Sequence, residues 1–187
     1  VINESELDAA ACDCCQTSIA MTNNGPIVVY RDRSENEVRD IYTIRNINGV
    51  WEEPNPLHND GWIINGCPVN GPKVAANSTN LAIAWFTVVN DNPLVNVSFS
   101  KTNGDSFGTP FKLNDHDAIG RVDVAFLNNE EVIVSYMEVD EIGTYLRIKK
   151  VSYTTAGRWS ILRAQALAVC KSLRLAFWEV FTPGRLM

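Results

Sequence analysis

The chain has 187 residues, of which 45% are hydrophobic and 20% charged, and it carries a formal net charge of −6. This composition supplies a real core and is not that of a disordered segment, while the acidic balance argues against nucleic acid as a partner, since phosphate binding needs a basic face. No apolar run reaches the roughly 18 residues of a membrane span.

The chain begins at Val1 without a Met, which fits a removed leader and equally a cut within a longer sequence. Cys12, Cys14 and Cys15 then cluster before the first short apolar segment, Ser18–Thr22. Asn23-Asn24-Gly25-Pro26 is strong hairpin punctuation, and strands are expected at Pro26–Tyr30, Asp40–Arg45 and from Trp51. A second group follows at Val74–Ala76, Leu81–Thr87, Leu94–Ser100 and Phe107–Leu113, with Asn77-Ser78-Thr79-Asn80 at its first hairpin. A third runs Val122–Leu127, Glu131–Glu138, Tyr145–Tyr153 and Trp159 onward. β-branched and aromatic side chains such as Val97, Phe99, Ile148 and Val151 suit half-buried sheets.

The three groups are one module repeated. Gly49, Gly104 and Gly157, each followed closely by Trp51, Phe107 or Trp159, stand 55 and 53 residues apart. Repeats of this length built from short strands predict an all-β fold of β-propeller blades, each of four antiparallel strands, with about three blades in this chain. A β-sandwich with accidental spacing is the alternative. From Ser160 to Met187 the pattern changes: the charge is +3, against −9 for the residues before it. Leu162, Ala166, Val169, Leu173, Phe177 and Val180 recur at helical spacings until Pro183-Gly184. The expected organisation is therefore a three-blade unit over 1–159 and a basic helical tail over 160–187.

The segment Ser100-Lys101-Thr102-Asn103-Gly104-Asp105-Ser106-Phe107 resembles the Asp-box hairpin of the sialidase-like (BNR-repeat) propellers, keeping its Ser, Gly, Ser and aromatic, with Thr102 where the Asp belongs. Arg45–Trp51 and Ser152–Trp159 keep only the glycine, the aromatic and part of the frame. The resemblance covers roughly residues 12–159. It implies six blades, on the order of 320 residues, so it also implies either a longer protein or a homodimer that completes the ring.

A propeller gathers the loops that enter each blade, and those joining second to third strands, on one face. Here those loops hold Cys12, Cys14, Cys15, Cys67 and the densest Arg/Asp cluster. The resemblance implies an acidic sugar held by arginines, with an aspartic acid as general acid/base. Arg31, Arg33, Arg39 and Arg121 are the clamp candidates, Asp32 or Asp123 the acid/base, and Tyr42 with Glu138 the nucleophile pair. The family's Arg-Ile-Pro element is absent. An ordinary ion-pair network is the competing reading. Trp62 either stacks on a sugar ring or packs against a strand.

For the cysteines three readings stay open. Cys12, Cys14, Cys15 and Cys67 form a zinc or copper(I) site, with His58 or His116 to complete the set, or Cys67 forms a disulfide with one of the cluster, or the thiols stay reduced. Apart from that metal, no cofactor is expected. Cys170 reads as a buried apolar residue. The sequence thus points to an exported (periplasmic or extracellular) protein that recognises carbohydrate and hydrolyses glycosides of acidic sugars. The alternative is a non-enzymatic propeller scaffold whose cysteine face holds a disulfide or metal.

Overall fold

The computed structural model describes residues 4–153 and, as backbone, 159–170. The chain forms three antiparallel sheets, each a meander of consecutive strands, and no helix occurs among the described residues. The first sheet holds β1 (Ser18–Thr22), β2 (Gly25–Arg31), β3 (Ile41–Ile47) and β4 (Val50–Trp51), with β5 (Asn55–His58) also on β3. The second holds β6 (Lys73–Asn77), β7 (Asn80–Val89), β8 (Asn92–Ser100) and β9 (Phe111–Lys112). The third holds β10 (Asp117–Phe126), β11 (Glu131–Val139), β12 (Thr144–Tyr153) and β13 (Trp159–Cys170).

Two of these strands depart from the sequence reading. The helix expected from Ser160 is strand β13 through Cys170, paired from Tyr153↔Trp159 to Thr144↔Cys170. Its apolar residues do recur at three and four, but β12 presents a long row of unpaired main-chain groups, and the non-local ladder overrides local periodicity. The rest of the expected helix, 171–187, lies outside the described residues. In the second sheet the expected Phe107–Leu113 strand shrinks to β9, because Pro110 has no N–H for the ladder.

Strand β7 explains the stacking. Leu81, Ile83 and Trp85 face the first sheet with Ile27, Val29 and Ile41. Ala82, Ala84 and Phe86 face the third with Val124, Val132 and Tyr136. Both faces are buried, so the middle sheet is the shared wall of two cores, and each large side chain there contributes roughly 1.5–3 kcal/mol. The first strands run side by side, β6 lying against both β1 and β10. Val74 N donates to Ser18 Oγ across that seam at 3.2 Å. At the hairpin tips Asn77 Nδ2 donates to Asn129 Oδ1 at 2.9 Å, and Asn80 Nδ2 to the Asn129 carbonyl at 3.1 Å. Residues about one repeat apart in sequence therefore touch in space.

The β8–β9 turn carries its own polar frame. Ser100 Oγ accepts the N–H groups of Thr102 (3.1 Å) and Gly104 (3.0 Å), and Thr102 Oγ1 accepts that of Ser106 at 3.1 Å. Gly104 has φ +82°, and a Cβ there would lie 2.9 Å from Ile27 Cδ1, so only glycine fits. Phe107 packs against the core between the first two sheets, as a spacer below the turn. Trp85 is fully buried, whereas Trp51 is only half-buried; the side chain of Trp159 lies outside the described residues.

Candidate functional site

The ends of β2 and β7 and the segments before β1 and β6 meet at one end of the molecule. Arg31, the last residue of β2, is 1% exposed. Its Nε and Nη2 donate to the Asn70 carbonyl at 3.0 and 2.8 Å, Nη2 also to the Phe86 carbonyl at 2.6 Å, and Nη1 to the Arg39 carbonyl. The guanidinium carbon sits 4.9 Å above the Trp62 ring, and burial lowers its basicity. Trp62 is in turn packed edge-on against Phe86, with centroids 5.4 Å apart, inside the core. Both residues face inward, away from any ligand in solvent.

Asn70 is the hub that the sequence did not single out. Its Oδ1 accepts Arg121 N at 3.0 Å, and its Nδ2 donates to the Ile119 carbonyl at 3.1 Å. The neighbouring Gly71 has no room for a side chain: a Cβ would lie 1.8 Å from the Gln16 carbonyl oxygen. Its N–H donates to Gln16 Oε1 at 3.0 Å. The segment before β6 is thus threaded tightly between the first and third sheets. Arg121 itself is exposed, with φ +55°, and donates to the Val69 carbonyl at 2.9 Å.

Beside this hub lie the sulfurs. Cys14 and Cys67 are joined in a disulfide, with Cα atoms 6.0 Å apart. Cys12 and Cys15 are free thiols, Cys12 buried. The Cys12 sulfur lies 3.6 Å from those of both Cys14 and Cys15. With Cys14 and Cys67 bonded to each other, the thiols left in the cluster for a metal are Cys12 and Cys15. Burial pushes the Cys15 thiol up.

Arg39 Nη1 donates to Cys12 Sγ at 3.0 Å, and its Nη2 pairs with Glu37. Its Nε is buried with no partner among the described residues. Arg33, exposed, donates from Nη2 to Glu37 Oε1 at 2.9 Å. Glu37 adopts φ +60°, a conformation uncommon for such a residue, and that places its carboxylate between the two guanidiniums. Arg33 first, and then Arg39, hold its carboxyl below the ordinary range. Asp13, Cys14, Arg33, Arg39, Asn65 and Cys67 line an open cleft of about 440 Å³ here.

A second polar group surrounds Tyr42. Tyr30 donates its hydroxyl to Asp8, and the two tyrosine rings are 6.3 Å apart. Burial, and then Asp32, Asp40 and Asp8, push the Tyr42 phenol up. Burial likewise pushes up the carboxyls of Asp32 and Asp40, although Asp40 accepts the N–H groups of Gly61 (3.1 Å) and Trp62 (3.3 Å). Asp32 and Tyr42 are therefore close neighbours, and Asp8 and Asp40 join them. Asp123 and Glu138 belong to the third sheet. Asp123 is exposed and accepts the next residue's N–H at 2.9 Å. Glu138 is fully buried, accepting Arg147 Nε at 2.5 Å and Asp115 N at 3.2 Å. Tyr42 and Glu138 share no partner in these contacts.

No protein-family model matches the chain, and no curated protein matches it in sequence. Among solved structures, similarity is found to the catalytic domain of a Coprinopsis cinerea GH62 α-L-arabinofuranosidase, at 17% identity and a TM-score of 0.40 over 75% of this chain. A Kordia zhangzhouensis fucose lectin in complex with methyl-fucoside is similar over 82% of this chain and 99% of its own, at 8% identity and a TM-score of 0.40. A Podospora anserina α-L-arabinofuranosidase in complex with cellotriose is similar over 87% of this chain and 70% of its own, at 11% identity and a TM-score of 0.36. The chain spans 46% of the Coprinopsis domain. No helix among the described residues is long and apolar enough to cross a membrane.

Proposed function

We propose that this chain is three blades of a sialidase-like propeller that recognises glycans at the cleft beside the Cys14–Cys67 disulfide. The observation that carries the reading is the arrangement of the three meanders. They follow one another in sequence with their first strands side by side, and that places an arginine-lined cleft where the entering segments meet. On this reading Arg33, exposed, with Arg39 behind it, takes the carboxylate of an acidic sugar in exchange for Glu37. Arg121 is held to the Asn70 hub from the third sheet.

Recognition without hydrolysis is the reading the side chains favour. Arg31 is committed to main-chain carbonyls and Glu138 to Arg147, which leaves Asp32 and Tyr42 as the pair available for chemistry, with burial and acidic neighbours holding the phenol protonated. A disulfide in the site fits an exported protein, periplasmic or extracellular. A second copy would supply the missing blades, and the exposed Ile19 and Met21 of β1 suit such a contact. A dimer mass in solution supports this ring, and a strict monomer removes it.

The test of the function is titration of the chain with a methyl sialoside, followed by NMR or calorimetry, alongside turnover of a fluorogenic sialoside. Binding that Arg33→Ala abolishes, without turnover, is the expected outcome. Absence of binding to acidic and neutral sugars alike, with the fold intact, removes the glycan reading and leaves the disulfide scaffold.

A further inference from the structure

We propose that the cysteine cluster is a thiol–disulfide exchange site, in which the Cys12 sulfur attacks Cys14 and releases Cys67 as a free thiol into the arginine-lined cleft. The inference rests on the sulfur geometry and stands whether or not the cleft takes a sugar.

Three observations converge on it. The Cys12 sulfur is 3.6 Å from Cys14 Sγ, a contact distance at which nothing intervenes between a nucleophile and the bonded sulfur it attacks. Arg39 Nη1 donates to that same sulfur at 3.0 Å, which holds it in place beside the bonded Cys14. The leaving group has somewhere to go: Cys67 is exposed and lines the cleft with Arg33 and Arg39.

The bonding of the cluster favours exchange over metal binding. With Cys14 and Cys67 joined, Cys12 and Cys15 are the thiols left in the cluster for an ion, short of the four ligands a structural zinc takes, and the Arg39 guanidinium already lies on the Cys12 sulfur.

The step balances without an external oxidant. The Cys12–Cys14 bond forms as the Cys14–Cys67 bond breaks, the electron pair leaves on the Cys67 sulfur, the proton lost by Cys12 passes to solvent, and Cys67 takes one up. The number of disulfides is unchanged. Attack by Cys67 on Cys14 reverses it. Cys15, beside Cys12, stays a thiol throughout.

The experiment is disulfide mapping of the full chain, unreduced, after incubation with iodoacetamide at about pH 8, where thiolates form. Acid quenching, digestion and mass spectrometry then read the connectivity. Wild type accumulates a Cys12–Cys14 link together with alkylated Cys67. Cys12→Ser, which keeps the size and the Arg39 contact, slows alkylation of Cys67 by about tenfold or more, since no thiolate is then poised on Cys14. Cys15→Ser leaves that alkylation unchanged. Equal alkylation of Cys67 in Cys12→Ser overturns the proposal. So does wild type in which Cys15 is alkylated and Cys67 never is, a result that needs no variant to fold. Stoichiometric zinc or copper in the purified chain, protecting all four sulfurs, overturns it in favour of a metal site.

Discussion

Arg31 and Asn70 meet across the seam between the first and second sheets, where the Nε and Nη2 of one donate to the main-chain carbonyl of the other at 3.0 and 2.8 Å. The amide side chain of Asn70 is turned the opposite way, onto Ile119 and Arg121 of the third sheet. A single residue therefore joins all three sheets at the end that carries the cleft. An arginine suits the seam because its planar fork satisfies several carbonyls at once, while its face lies over Trp62.

The seam predicts a large stability cost for Arg31→Met. That change removes the buried cation but leaves the carbonyls of Asn70, Phe86 and Arg39 without partners in a dry site, at about 1–3 kcal/mol for each orphaned group. A loss of roughly 3–5 kcal/mol follows, with Arg31→Lys intermediate because one ammonium cannot span all three acceptors. Urea denaturation measures it. A change in Arg31→Met below about 0.5 kcal/mol contradicts the interlocking role.

The disulfide makes a separate contribution. Cys14 and Cys67 are 53 residues apart, so their bond removes substantial freedom from the unfolded chain. A loop of that size corresponds to about 4 kcal/mol in the chain-entropy account, and 2–4 kcal/mol is the ordinary range. Cys67→Ala is expected to lose that much, with loosening first at the segment before β6. Equal unfolding midpoints for Cys67→Ala and wild type would show that the Gln16–Gly71 and Arg31–Asn70 contacts hold this junction unaided.

The strands were legible because their residues obey one rule each. Leu81 through Trp85 alternates large and small apolar side chains, and the structure turns the large ones to one core and the alanines to the other. Strand β13 was not legible, because Leu162, Ala166 and Val169 fit a helix locally and only the edge of β12 decides otherwise. The site was legible as a cluster but not in its internal assignments. Asn70 acts largely through a main-chain carbonyl, which every residue has. Asp8 reaches Tyr30 from 22 residues away. Whether an arginine faces solvent, as Arg33 does, or is sealed in, as Arg31 is, depends on packing that spacing does not encode.

In the alkaline range the buried tyrosines set the outcome. Burial and Asp8 push the Tyr30 phenol far up, and burial with Glu138 does the same for Tyr136. The folded-state value then exceeds the unfolded value of roughly 10, so the unfolded chain releases these protons first. Their stabilising contribution is complete below about pH 10 and is lost as pH rises toward the folded-state values. The melting temperature is expected to fall steeply above about pH 10, and less steeply in Tyr30→Phe, which has one fewer phenol to titrate. Identical slopes for the two proteins between pH 9 and 11, roughly the span around the unfolded value, would rule Tyr30 out as a source.

Glu138 separates structure from chemistry. Its carboxylate is sealed at the end of β11, holding Arg147 at 2.5 Å and the Asp115 N–H at 3.2 Å, and Arg147 also lies over the Tyr145 ring with its guanidinium carbon 4.6 Å from the centroid. Removing one partner of a buried pair typically costs 3–5 kcal/mol, because the other charge is left uncompensated. Arg147 is 18% exposed, so water recovers part of that, and Glu138→Ala is expected to lose about 2–3 kcal/mol. Glu138→Gln keeps the shape and an acceptor for Asp115 N, and a smaller loss follows. Neither change alters sialoside binding at the cleft if Glu138 only supports the third sheet. A Glu138→Gln protein as stable as wild type but without a sialosidase activity that wild type displays would restore this carboxylate as a catalytic group.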